Sequence, residues 1–123
     1  MEKKEPALRV LAMPRDTNPL GDIFGGWIMS QVDMAGSIIA RQLANSRVVT
    51  VAVNEFVLKQ PVYVGDLVSC YGEAIKVGRT SITILVEVFA NRKANRGDSV
   101  KVTEATLVYV AIDENGRPHP VHR

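Results

Sequence analysis

The run Asp22-Ile23-Phe24-Gly25-Gly26-Trp27-Ile28-Met29-Ser30-Gln31-Val32-Asp33-Met34-Ala35-Gly36-Ser37-Ile38-Ile39-Ala40 decides the fold. Asp22 reads as a helix N-cap, Gly25 and Gly26 fall in the first turn, and the apolar pattern continues to Leu43. Arg41 and Asn45 suit the C-terminal end. Apolar residues surround nearly the whole circumference, with Ala35, Gly36, Ser37 and Ala40 as the thin side, so this helix must be covered rather than laid on a surface. It is not a membrane span. Residues 23–40 fall short of the ~20 apolar residues required, and Asp33 near their centre costs about 2.5 to 3.5 kcal/mol on insertion.

Outward from the helix the pattern is β. Residues 7–13 read as a strand ended by Pro14, and residues 15–22, rich in turn formers, as a loop. Residues 48–53 are a β-branched strand that continues through 55–58. Residues 66–77 and 81–90 form a hairpin about Gly78 and Arg79, with Ile82, Ile84, Val86 and Val88 on one face. A charged loop at 91–98 precedes the last long strand, 99–112, which is closed by a turn at 113–116 and followed by a loose tail at 117–123. One strand, one long helix and about four antiparallel strands make an α+β domain in which a strongly curved sheet wraps the helix. At 123 residues the chain is one domain, residues 1–123, with an ordered core over about 8–112. In the last strand Val100, Val102, Val108 and Val110 alternate with Ala105, Leu107, Tyr109 and Ala111. Both faces are apolar; one packs on the helix, and the other calls for a second copy of the chain.

Composition removes several functions. Lys plus Arg total 15 against 13 for Asp plus Glu, a net charge of +2 with the basic residues scattered, so nucleic acid is not the expected partner. Cys70 is the single cysteine; it forms no internal disulfide and reads as packing. His119 and His122 both lie in the last five residues, which leaves no His/Cys metal cluster for the core. The opening residues carry no secretory pattern, and a soluble cytoplasmic protein is the simplest expectation. No Gly-x-Ser-x-Gly elbow, P-loop or Gly-x-Gly-x-x-Gly turn occurs, which disfavours serine-triad hydrolysis and nucleotide phosphoryl transfer.

The informative anomaly is Asp33, the only acid between Asp22 and Glu55, with no basic residue three or four positions away. Buried, ionised and unpaired it would cost several kcal/mol. It is either a solvent-facing edge acid or a carboxylate held in a cleft as general base or nucleophile. Gly25 and Gly26 are either turn and packing residues or a close-approach site where first-turn amides meet a developing oxyanion. Gly25 and Asp33 are eight positions apart, ~12 Å along one helix. One carbonyl does not easily reach both within a chain. Antiparallel helices at a dimer interface bring Gly25 of one subunit near Asp33 of the other.

Four separate segments also match a known family in order and spacing. They are Met13-Pro14-Arg15-Asp16-Thr17-Asn18, then residues 21–33 from Gly21 to Asp33, then Arg47-Val48-Val49-Thr50-Val51-Ala52-Val53, and Lys76-Val77-Gly78-Arg79-Thr80-Ser81. Across residues 8–112 the chain resembles the hotdog-fold acyl-CoA thioesterases of the YciA type. The resemblance implies a long central helix wrapped by antiparallel sheet and hydrolysis of acyl-CoA to free acid and CoA, with no metal and no cofactor beyond the CoA of the substrate. It implies that Asp33 activates water or attacks the thioester, that Asn18 orients water or substrate, and that the Gly25 and Gly26 amides polarise the carbonyl. It points to Gly78, Arg79, Thr80 and Ser81 for CoA contacts, Arg79 being either a phosphate ligand or an exposed turn cation. A homodimer, or a hexamer built from dimers, is the expected assembly. The alternatives are a non-catalytic acyl-CoA-binding module, a purely structural oligomer, and a hotdog dehydratase, which usually needs a histidine that this core lacks.

Overall fold

A computed structural model describes residues 5–92 and 99–121 of the chain. Most of the expected charged loop, the opening four residues and His122 lie outside the described residues. The long helix is α1 (Gly25–Ala44). It begins later than its sequence implies: the N-cap is Phe24, with no side-chain cap, and not Asp22. Asp22 is committed elsewhere, because its N–H donates to Asn18 Oδ1 and its carbonyl accepts from Asn18 N–H. The chain is then pinned by Ile23 N–H to the Val62 carbonyl and Phe24 N–H to the Asp16 carbonyl, so the helix starts at the glycine pair. Asn45, in the left-handed region at φ 52°, ends it.

The strands are β1 (Leu8–Leu11), β2 (Arg47–Asn54), β3 (Leu67–Val77), β4 (Ser81–Asn91) and β5 (Ser99–Ile112). They form one antiparallel sheet in the order β1-β3-β4-β5-β2, which leaves β1 and β2 at its edges. The sheet curls about α1, which touches all five strands. Ile28, Val32, Ala35, Gly36 and Ala40 of the helix are buried, and they meet Ile82, Ile84, Val86 and Val88 of β4 and Ala105, Leu107, Tyr109 and Ala111 of β5 within the core. Burial of this kind contributes roughly 25 cal/mol per Å² of apolar surface.

Two expectations are corrected. The second strand does not run on through 55–58: Glu55 takes φ 57°, which turns the chain out of the ladder. The segment is tied instead to the bulged region of β5, where Thr103 Oγ1 donates to the Val57 carbonyl and Lys59 N–H to the Val102 carbonyl. Nor is the tail loose through residue 121. It folds back, with His119 N–H donating to the Ala111 carbonyl and Val121 N–H to the Arg79 carbonyl. The helix is covered on one side only: Phe24, Met34, Ile38 and Leu43 remain exposed. Val49, Val51 and Val53 of the edge strand β2 are exposed as well, Val51 at 56%. No described helix is long and apolar enough to cross a membrane.

Candidate active site

The loop before α1 is organised by Asn18. Its Oδ1 accepts from Leu20 N–H at 2.9 Å and Asp22 N–H at 3.1 Å, so the side-chain carbonyl is spent on the loop and the Nδ2 amide is the group left for a ligand. Asn18 and Gly25 line one open cleft of about 360 Å³ with Ile28, Leu58, Lys59 and Val62. Gly25 packs closely, since a Cβ there would lie 3.1 Å from Leu58 Cδ1 and the leucine side chain would have to shift slightly. Gly26 follows it into open space. The first amides of a helix have no intrahelical acceptor, and Phe24 offers no side-chain cap, so the Gly25 and Gly26 N–H groups stand at the positive end of the helix dipole.

Asp33 lies two turns along α1 and does not line that cleft. It is half-buried. Thr50 of β2 donates from Oγ1 to Asp33 Oδ1 at 2.7 Å, and Tyr109 of β5 donates from its hydroxyl toward the same Oδ1 at 3.0 Å and the Asp33 main-chain carbonyl at 2.9 Å. Thr50 and Tyr109 are direct cross-strand partners, so sheet register places both hydroxyls against the helix acid. Burial, and then the negative charge of Asp33, push the Tyr109 phenol above its ordinary range, so it stays a donor at any working pH. Among the described residues no hydrogen bond reaches Asp33 Oδ2. The carboxylate is neither buried unpaired nor a simple surface acid; two hydroxyls hold one of its oxygens.

Gly78, Arg79, Thr80 and Ser81 form the β3–β4 turn, closed by Gly78 N–H to the Ser81 carbonyl at 2.8 Å. Arg79 is exposed, and none of the four lines the cleft with Asn18 and Gly25. Within one chain the sequence-derived residues therefore fall into three places: Asn18 with Gly25 and Gly26, Asp33 at the β2 edge, and the β3–β4 turn. Sequence reasoning missed Thr50, Tyr109 and the role of Gly36, which gives Tyr109 room: a Cβ on Gly36 would overlap the tyrosine hydroxyl and stand 2.9 Å from Cζ. The available signal was a tyrosine on the inward face of β5 between Leu107 and Ala111, since a buried phenol needs a partner.

A glycine pair opening a helix, a lone mid-helix acid and a sheet curled about that helix coincide here with a family match. The profile of the Thioesterase superfamily fits residues 20–95. The chain belongs to that superfamily. Among relatives of this thioesterase-superfamily chain, the acyl-CoA thioester hydrolase YciA of Salmonella typhimurium is 50% identical over 119 residues, covering 95% of this chain and 90% of that protein. Among solved structures, an aspartate-to-alanine mutant of a hexameric broad specificity acyl-coenzyme A thioesterase superposes with a TM-score of 0.92 at 50% identity, covering 98% of this chain and 88% of that one. A hexameric hotdog fold thioesterase of Campylobacter jejuni superposes with a TM-score of 0.91 at 47% identity, over 97% of this chain and 91% of that one. The α+β hotdog architecture read from the sequence is thus the one observed.

Proposed function

We propose that this chain hydrolyses acyl-CoA to a free acid and CoA, at a site completed by a second copy of itself. The observation that carries the reading is the split geometry: Asn18 and Gly25 share a cleft, while Asp33 sits at an open sheet edge outside it. Exposed Met34 and Ile38 on α1 and Val49, Val51 and Val53 on β2 surround that edge and give a partner an apolar surface to cover. Antiparallel helices across a two-fold axis then bring Asp33 of one subunit to the Gly25 cleft of the other. The hexameric state described for the relatives fits three such dimers.

In this site the Gly25 and Gly26 N–H groups and the Asn18 Nδ2 amide donate to the thioester carbonyl, which gains negative charge as it is attacked. Asp33 Oδ2 takes a proton from a water that adds to the carbonyl carbon, or adds directly to form a mixed anhydride that water opens. The carbon–sulfur bond breaks and CoA leaves as thiolate. Because a thiolate departs readily, amide donors and one carboxylate suffice without a triad. The chemistry belongs to side chains and amides alone, with coenzyme A part of the substrate. Arg79 and its turn, with Lys59 on the cleft rim, supply polar contacts for the CoA phosphates.

The test is thiol release from a panel of acyl-CoAs. Wild type turns over at least one of them, and Asp33→Asn lowers that rate by about 100-fold or more. Turnover within a factor of two of wild type would remove Asp33 from the chemistry, and binding of CoA esters without any turnover would make the chain a binding module.

A further inference from the structure

We propose that Tyr109 is a positioning residue for this reaction, acting through Asp33, and that Gly36 exists to admit its hydroxyl. The inference rests on the reading of Asp33 as the reactive carboxylate. Tyr109 is fully buried, between Leu107 and Ala111 on its strand face, with Ala105 and Thr103 further along it. A phenylalanine would fill the same place without a polar atom to satisfy, so the hydroxyl needs a reason. Its acceptors are the Asp33 carboxylate and the Asp33 main-chain carbonyl, a helix carbonyl that α-helical geometry already supplies with an amide donor. The same residue is therefore gripped at its side chain and its backbone by one phenol.

Gly36 carries a second, independent observation. It sits mid-helix, where glycine is unfavourable, at a place where a Cβ would collide with the Tyr109 hydroxyl. Thr50 also donates to Oδ1, so that oxygen faces two hydroxyl donors, the tyrosine's single proton being shared with the main-chain carbonyl, and the carboxylate is restrained. Oδ2 stays available for the proton or the carbonyl carbon. Tyr109 touches neither substrate nor reacting atom; it sets the orientation of the group that does.

Four proteins decide the matter: wild type, Asp33→Asn, Tyr109→Phe and the double variant, assayed for kcat and KM on the best acyl-CoA with thermal melting alongside. Tyr109→Phe is expected to lower kcat by about 10- to 100-fold with KM changed less than about threefold. In the Asp33→Asn background the same change is expected to add no further loss. Gly36→Ala, which crowds the hydroxyl from the helix side, is expected to lower kcat likewise, and serves if Tyr109→Phe does not fold. A folded Tyr109→Phe with kcat within twofold of wild type, or losses that multiply in the double variant, overturns the positioning role. An active Asp33→Asn overturns instead the reading on which it rests, so the two failures are distinct.

Discussion

Asn18 uses the two halves of its carboxamide for different purposes, and substitutions can separate them. Asn18→Asp keeps an oxygen for Leu20 and Asp22 N–H and loses the Nδ2 donor. It is expected to melt within a few degrees of wild type while kcat/KM drops by about 10-fold or more, a split that activity assays and calorimetry read together. Asn18→Ala loses the loop bonds too, at a cost of about 1 kcal/mol in stability. Asp33 was visible in the sequence as an acid without a partner, because charge in an apolar helix is conspicuous. Its donors were not visible: Thr50 faces Tyr109 only through a strand register that shifts between Thr50 and Ala52. The placement of Asn18 beside the glycines depends on a loop fold that no local pattern encodes; only the family resemblance singled it out.

Helix α1 shows why a favourable local rule can be reversed by what packs across it. Replacing a mid-helix glycine by alanine ordinarily stabilises by about 0.5 to 1 kcal/mol. At Gly36 the new Cβ meets the Tyr109 ring and hydroxyl, and overpacking of that kind costs about 1 to 3 kcal/mol. Gly36→Ala is therefore expected to lower the denaturant midpoint rather than raise it. Ile84→Ala, at a fully buried β4 position opposite the helix, is expected to cost about 2 to 5 kcal/mol in the same measurement. Strands β3, β4 and β5 were legible within a residue or two, since long alternating runs bounded by glycines leave few readings. The helix start was not. Asp22 looks like a cap, yet a bond to Asn18 outcompetes capping, and the chain must first be anchored to Asp16 and Val62. The turn at Glu55 and the returning tail were missed for a related reason: both are held by backbone bonds to distant strands.

For the whole molecule, the exposed valines of β2 predict assembly. Val51→Lys places a charge at the centre of the apolar edge, and is expected to shift the protein to smaller species in analytical ultracentrifugation and to abolish turnover while leaving far-ultraviolet circular dichroism intact. A monomeric variant with full activity would refute the shared site. The excess of apolar positions in the sequence called for a second copy on the outer face of β5, whereas Val49, Val51 and Val53 of β2 and Met34, Ile38 and Leu43 of α1 are the residues left exposed. Lone Cys70 has a practical consequence at this scale. Its thiol is buried and pushed up to about 12 by loss of solvation, so it remains protonated and sheltered through neutral and mildly alkaline buffers. Ellman's reagent is expected to find essentially nothing to titrate on the native protein and one equivalent per chain after guanidinium. The catalyst is thus chromogenically silent, and colour developing in a continuous assay counts coenzyme A alone.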